Sequence, residues 1–152
     1  MRRVLAVAAI LAIGLALLAG CSKSKPRLTL NEYVTQFQVL GKQADADSSR
    51  LAQEKGFGPD KSYDENRAFY LSEASVVDRF ARELDDLRPP AKIEEQHRAI
   101  VAGYHALAAN FRTGLGGQDI PGRLAAACSA IEQLAADQGN PVELCLSGQA
   151  QP

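Results

Sequence analysis

The chain is poor in the residues that carry recognisable chemistry. Its 152 residues include two histidines, three cysteines and one methionine. That methionine is Met1, so the thioether ligation of soft copper sites has no donor in the rest of the chain. No Cys-x-x-Cys-His run exists for covalent haem. No Gly-x-Ser-x-Gly turn presents a serine, and His97 and His105 fall within one helical pattern, which leaves little material for a Ser-His-Asp triad. Gly114-Leu115-Gly116-Gly117 is glycine-rich but follows a helical segment instead of a strand, so it lacks the setting of a phosphate-binding loop. Basic residues are not in excess: 17 Lys and Arg face 18 Asp and Glu, which argues against a nucleic-acid footprint. The expectation is a protein that is not an enzyme and holds no cofactor.

What is present begins at the N-terminus. Met1-Arg2-Arg3 precedes an apolar run from Val4 to Leu18. The run falls short of the roughly 20 apolar residues that cross a bilayer, and its layout is that of an export signal. It ends in Leu17-Leu18-Ala19-Gly20-Cys21, which closely resembles the lipobox of bacterial lipoproteins. The resemblance implies cleavage between Gly20 and Cys21, a thioether from Cys21 to diacylglycerol, and acylation of the new amino terminus, with palmitate as a typical chain. Such a site needs small side chains for a protease cleft and a thiolate to attack the lipid donor. The implied partner is therefore membrane lipid, held through Cys21, in a cell envelope and facing periplasm or exterior. Ser22 stands where the inner-membrane retention signal of some bacteria has aspartate, so the outer membrane is expected where the source has two membranes.

The expected organisation is a signal peptide over 1–20, a lipidated tether over 21–28 and a helical domain over 29–152. Removing residues 1–20 takes away Arg2 and Arg3 and leaves 15 basic against 18 acidic side chains, a formal charge of -3. The remaining 132 residues suffice to bury roughly two thirds of their unfolded surface in a single core. Ser22-Lys23-Ser24-Lys25-Pro26-Arg27 reads as a tether with a reach of at most about 25 Å. Its three cations favour anionic head groups by about 1 kcal/mol each near the surface.

With Cys21 assigned to lipid, Cys128 and Cys145 remain as a pair in an exported chain, and parity favours a disulfide. Gly139-Asn140-Pro141 supplies a turn that would fold the C-terminal residues back onto the preceding helix. Closing that loop would stabilise by about 3 kcal/mol in the chain-entropy description. The alternative is two buried free thiols, since Cys128 also falls on an apolar stripe.

Beyond residue 28 no segment alternates as a half-buried strand would, and four segments carry a helical period. The expected fold is all-α, an antiparallel up-down four-helix bundle with its C-terminal tail tied back by a disulfide. The first helix opens with a capping box at Thr29-Leu30-Asn31-Glu32, carries Leu30, Val34, Phe37, Leu40, Ala44 and Leu51 as its stripe, and ends at Gly56-Phe57-Gly58-Pro59. A second box, Ser62-Tyr63-Asp64-Glu65, opens the next helix, whose stripe runs from Phe69 to Leu87. Arg88-Pro89-Pro90 stops it and starts a third helix reaching about Leu115. There Ile93, His97, Ile100, Tyr104, Leu107 and Phe111 form a seam. The fourth helix begins at Asp119-Ile120-Pro121, with Leu124, Cys128, Ile131 and Leu134 inward. The hairpin from Leu84 through Pro89-Pro90 to His97 is similar to a pattern in small helical lipoproteins of bacteria. It covers under a fifth of the chain, and that family supplies no activity to transfer.

Bundles often house metals, so Glu94-Glu95-Gln96-His97 must be compared with the Glu-x-x-His half-motif of di-iron carboxylate proteins. The second histidine, His105, has Ala102 at the matching position, and Glu73 alone on the second helix leaves the ligand set incomplete. No metal is expected. The leading expectation is a membrane-anchored, non-catalytic binding or structural module of the envelope, with an envelope protein as a partner. The alternative is a small-ligand or metal carrier using the interior around His97 and Tyr104, against which stands the plainer reading of both as satisfied core side chains.

Overall fold

A computed structural model describes residues 26–114 and 120–144. They form four α-helices, α1 Leu30–Lys55, α2 Arg67–Asp85, α3 Glu94–Thr113 and α4 Ile120–Asp137, with one turn of 3-10 helix at Ala91–Ile93 before α3. Among the described residues there is no strand.

Helix α1 starts where two orphan backbone donors find partners. Glu32 Oε2 accepts from the Thr29 backbone N–H at 2.8 Å, and the Thr29 hydroxyl accepts from the Glu32 N–H at 3.3 Å. The capping bonds hold the Glu32 carboxyl below its usual range, because they favour its ionised form. The helix stops at Gly56, whose φ of 64° suits a residue without Cβ.

Helix α2 starts later than the second box suggests. The Ser62 and Glu65 bonds do form, with Glu65 Oε2 accepting from the Ser62 N–H at 2.8 Å and from its hydroxyl at 2.7 Å. They close only a turn over residues 63–66. The cause is Asn66, which is buried and whose side chain is committed to the preceding loop. Its Oδ1 accepts from Gly58 N–H at 3.0 Å, and its Nδ2 donates to the carbonyls of Gly58 at 2.8 Å and Lys61 at 3.1 Å. The backbone there, at φ −92° and ψ 5°, departs from the α-helix, and the helix proper begins at Arg67. Helix α3 is likewise delayed past Pro90 by the 3-10 turn, and it ends at Gly114 with φ 68°.

The core unites Tyr33, Val34 and Phe37 of α1, Phe80 and Leu84 of α2, Ile93, and Ile100 of α3 with Cys128 and Ile131 of α4. All nine aromatic side chains fall into two groups. Tyr33, Phe37, Phe80 and Tyr104 form a chain of tilted and edge-on rings. Phe57, Tyr63, Phe69, Tyr70 and Phe111 form the other, in which Tyr70 lies stacked between Tyr63 and Phe111. Along α1 and α2 the partners are Phe37 with Phe80 and Ser48 with Glu73. Along α2 and α3 they are Tyr70 with Phe111, Asp78 with His105 and Phe80 with Tyr104. In both pairs of helices, residue numbers fall along one helix as they rise along the other.

At Gly103, α3 offers α4 a surface without a side chain. A Cβ there would sit 2.6 Å from Leu124 Cδ2, so the missing side chain is what lets Leu124 pack on the α3 backbone. Beyond α4 the chain turns at Gly139, with φ 77°, and Asn140 N–H bonds back to the Ala135 carbonyl at 3.0 Å. Val142 and Leu144 then pack against the core.

Candidate functional site

His97 is the buried polar group at the centre of the bundle, 4% exposed, with Tyr33 of α1 fully buried beside it. The Tyr33 hydroxyl and His97 Nδ1 are 3.1 Å apart, and the rings meet edge to face at 5.7 Å. Burial pushes the His97 pKa down and that of Tyr33 up, since a low-dielectric surrounding disfavours both charged forms. Both groups are therefore neutral at pH 7, and the hydroxyl donates to Nδ1 or accepts from it according to the imidazole tautomer. A neutral histidine and tyrosine can pass a proton between them, but neither reaches solvent, so the arrangement gives no access to a substrate.

Tyr104, the second interior candidate, lies further along α3. Its ring stands edge-on to Phe80 at 4.8 Å, and burial pushes its pKa up to about 12. His97 and Tyr104 share a neighbour: the Tyr33 hydroxyl bonds His97, and Tyr104 lies near enough to Tyr33 to add to the rise of its pKa, while neither His97 nor Tyr104 lines the groove described below. Glu73 is 8% exposed and accepts from the Ser48 hydroxyl at 2.6 Å, while its other oxygen, Oε2, finds no hydrogen-bond partner among the described residues. Burial holds its carboxyl above the usual range. Among the described residues no three His, Cys, Asp or Glu side chains gather as a metal site.

The surface carries a histidine–aspartate pair that has no local signature, because its members are 27 residues apart on α2 and α3. Asp78 Oδ1 lies 2.8 Å from His105 Nδ1, and Oδ2 meets Arg82 at 2.8 Å and Arg112 at 3.2 Å. The His105 hydrogen bond and the two guanidinium groups hold the Asp78 carboxyl below its ordinary range. Neither a hydroxyl nor a thiol of the described residues bonds to His105. It ties α3 to α2.

Two expected sites, Cys21 and Cys145, lie outside the described residues. Cys128 is buried on α4, facing the core. Arg27, assigned to the tether, is engaged by the fold: its Nη1 donates to the Pro89 carbonyl at 3.0 Å and its Nη2 pairs with Glu94 at 2.9 Å. Leu28 N–H donates to the Arg88 carbonyl at 2.8 Å, so the packed domain begins at residue 27. No described helix is long and apolar enough to cross a membrane. No protein-family model matches the chain, and no curated protein or solved structure matches it.

Proposed function

We propose that the protein is a bacterial lipoprotein, fixed to a membrane through Cys21 and serving the cell envelope as a non-catalytic helical binding or structural module. The observation that carries this reading is the sequence Leu17-Leu18-Ala19-Gly20-Cys21, whose cysteine stands six residues before Arg27, which the domain holds through Pro89 and Glu94. A signal peptide over 1–20 and a lipidated cysteine would leave only residues 22–26 between the lipid and the domain, so the bundle would ride close to the bilayer. Ser22 after the cysteine favours the outer membrane where two membranes exist.

Within the domain, the reversed order of partners between successive helices supports an up-down course. A disulfide between Cys128 and Cys145 is the covalent part of the proposal. It is supported by the Leu144 N–H donating to Glu132 Oε1 at 2.7 Å. That bond holds the residue before Cys145 against α4, one turn from Cys128.

A non-catalytic role fits a histidine that is buried against tyrosine and an Asp78–His105 pair to which no hydroxyl or thiol of the described residues bonds. Against the carrier alternative stands His97 itself, which is buried and bonded to Tyr33. The reading is tested by expressing the full chain and its Cys21→Ser variant with labelled palmitate, followed by fractionation. Label and membrane association should be present in the first and lost in the second. Equal labelling of both would overturn it.

A further inference from the structure

Between α1 and the C-terminal end of α2 lies a groove of about 480 Å³. Its apolar wall is Val39, Leu40 and Leu87, and Val39 is 61% exposed, far more than a valine in a monomer's core-facing stripe. Glu83 in the last turn of α2 and Asp86, the residue that caps it, line the same groove. Neither carboxylate has an ion pair or hydrogen bond among the described residues, whereas Asp47 and Asp78 nearby are each held by arginines.

We infer that this groove docks an amphipathic segment of a partner protein that presents an aliphatic side chain flanked by lysine or arginine. The groove lies between two helices, the geometry in which an amphipathic helix lays its apolar face. An apolar floor with charged groups at its edge is the usual division of labour in an interface. Two unneutralised carboxylates select the sign of the partner, because a cation at the rim gains attraction and an anion meets repulsion from both. Thr35 and Gln36 on α1 add hydrogen-bonding groups to the opposite side of the groove.

The inference names the site and partner chemistry of the binding module proposed above, and its test is independent of the lipid anchor. The full chain, in a neutral detergent that keeps it dispersed with or without the anchor, is titrated against a fluorescent synthetic peptide of leucine and lysine at helical spacing, with detergent alone as the blank. Val39→Asp, and separately Glu83→Gln with Asp86→Gln, should weaken binding by about tenfold or more. Asp60→Asn with Glu95→Gln, an exposed pair outside the groove, removes the same charge and should change affinity by less than about twofold. A counterpart peptide with glutamate for lysine should not bind. The inference is overturned if the wild type shows no saturable binding, or if the control pair weakens it as much as the groove pair does. A failed titration with a chain that still takes up palmitate would remove the groove and leave the anchor. A chain that binds the peptide but takes up no palmitate would do the reverse.

Discussion

The Tyr33 hydroxyl and His97 Nδ1 meet at 3.1 Å across α1 and α3, each the other's hydrogen-bond partner in the interior. The bond explains how the core tolerates two polar side chains. Each group is satisfied by the other, which avoids the penalty of about 1–3 kcal/mol for a buried polar group left alone.

Removing one partner should therefore cost more than removing both. Tyr33→Phe leaves Nδ1 unpaired and should destabilise by about 1–3 kcal/mol. His97→Leu leaves the hydroxyl unpaired and should cost a similar amount. The double variant should cost less than the sum of the two, with a coupling of about 0.5 kcal/mol or more in a denaturant-unfolding cycle. Strict additivity would show that the bond contributes nothing.

The same histidine sets a pH dependence. Its folded pKa lies below the ordinary 6.5, so as pH falls through that value the unfolded chain binds a proton that the folded chain refuses. Stability from this group is complete above about pH 6.5 and is lost as pH falls toward the folded pKa. Urea midpoints at pH 7.5 and 5.5 should differ less in His97→Leu than in the wild type. An equal drop in both would contradict the assignment.

Glu73 works in the opposite sense. Its folded pKa is raised by burial, so the folded state binds the proton more readily and ionisation above that pKa weakens the fold. Glu73→Gln keeps a hydrogen-bonding partner for Ser48 and carries no charge. It should raise the melting temperature at pH 7 and lose that advantage near pH 4, where the native carboxyl is itself protonated. A gain that is unchanged at pH 4 would assign the effect to something other than charge.

Gly103 should tolerate no side chain while Leu124 faces it. A Cβ would lie 2.6 Å from Leu124 Cδ2 and 2.8 Å from Cγ, too close for rotation of the chain end alone to relieve. Gly103→Ala should destabilise by about 1–3 kcal/mol despite alanine's better helix propensity. In a Leu124→Ala background the same change should be neutral or stabilising. A loss of equal size in both backgrounds would rule out the steric account.

The disulfide proposed for the tail can be tested by counting thiols. The lipidated chain, denatured without reductant, should show no reactive thiol, and two after reduction. Joint replacement of Cys128 and Cys145 by alanine should lower stability by about 3 kcal/mol. Two thiols titrating before reduction would contradict the bond.

The parts of the fold that depend on near neighbours could be read from the residues. The Thr29 and Glu32 box, the glycine stops at 56 and 114, and the turn at Gly139 each need only a few consecutive residues. The start of α2 could not, because Asn66 delays it by bonding three backbone groups of a loop whose path the sequence does not specify. Tyr33 was legible in part: it lies four residues before Phe37 and next to Val34, on the edge of the α1 stripe, yet only the fold brings His97 to its hydroxyl. Asp78 with His105, and Val39 with Glu83 and Asp86, join different helices and leave no local pattern.

The central claim is that this helical domain is held to a membrane by lipid on Cys21, and the intact mass of the mature protein tests it most directly. The account predicts a chain beginning at Cys21, shorter than the encoded one by residues 1–20, and heavier than its amino acids by a diacylglyceryl group and an acyl chain. A mature chain with an unmodified Cys21, or one still beginning at Met1, would contradict it.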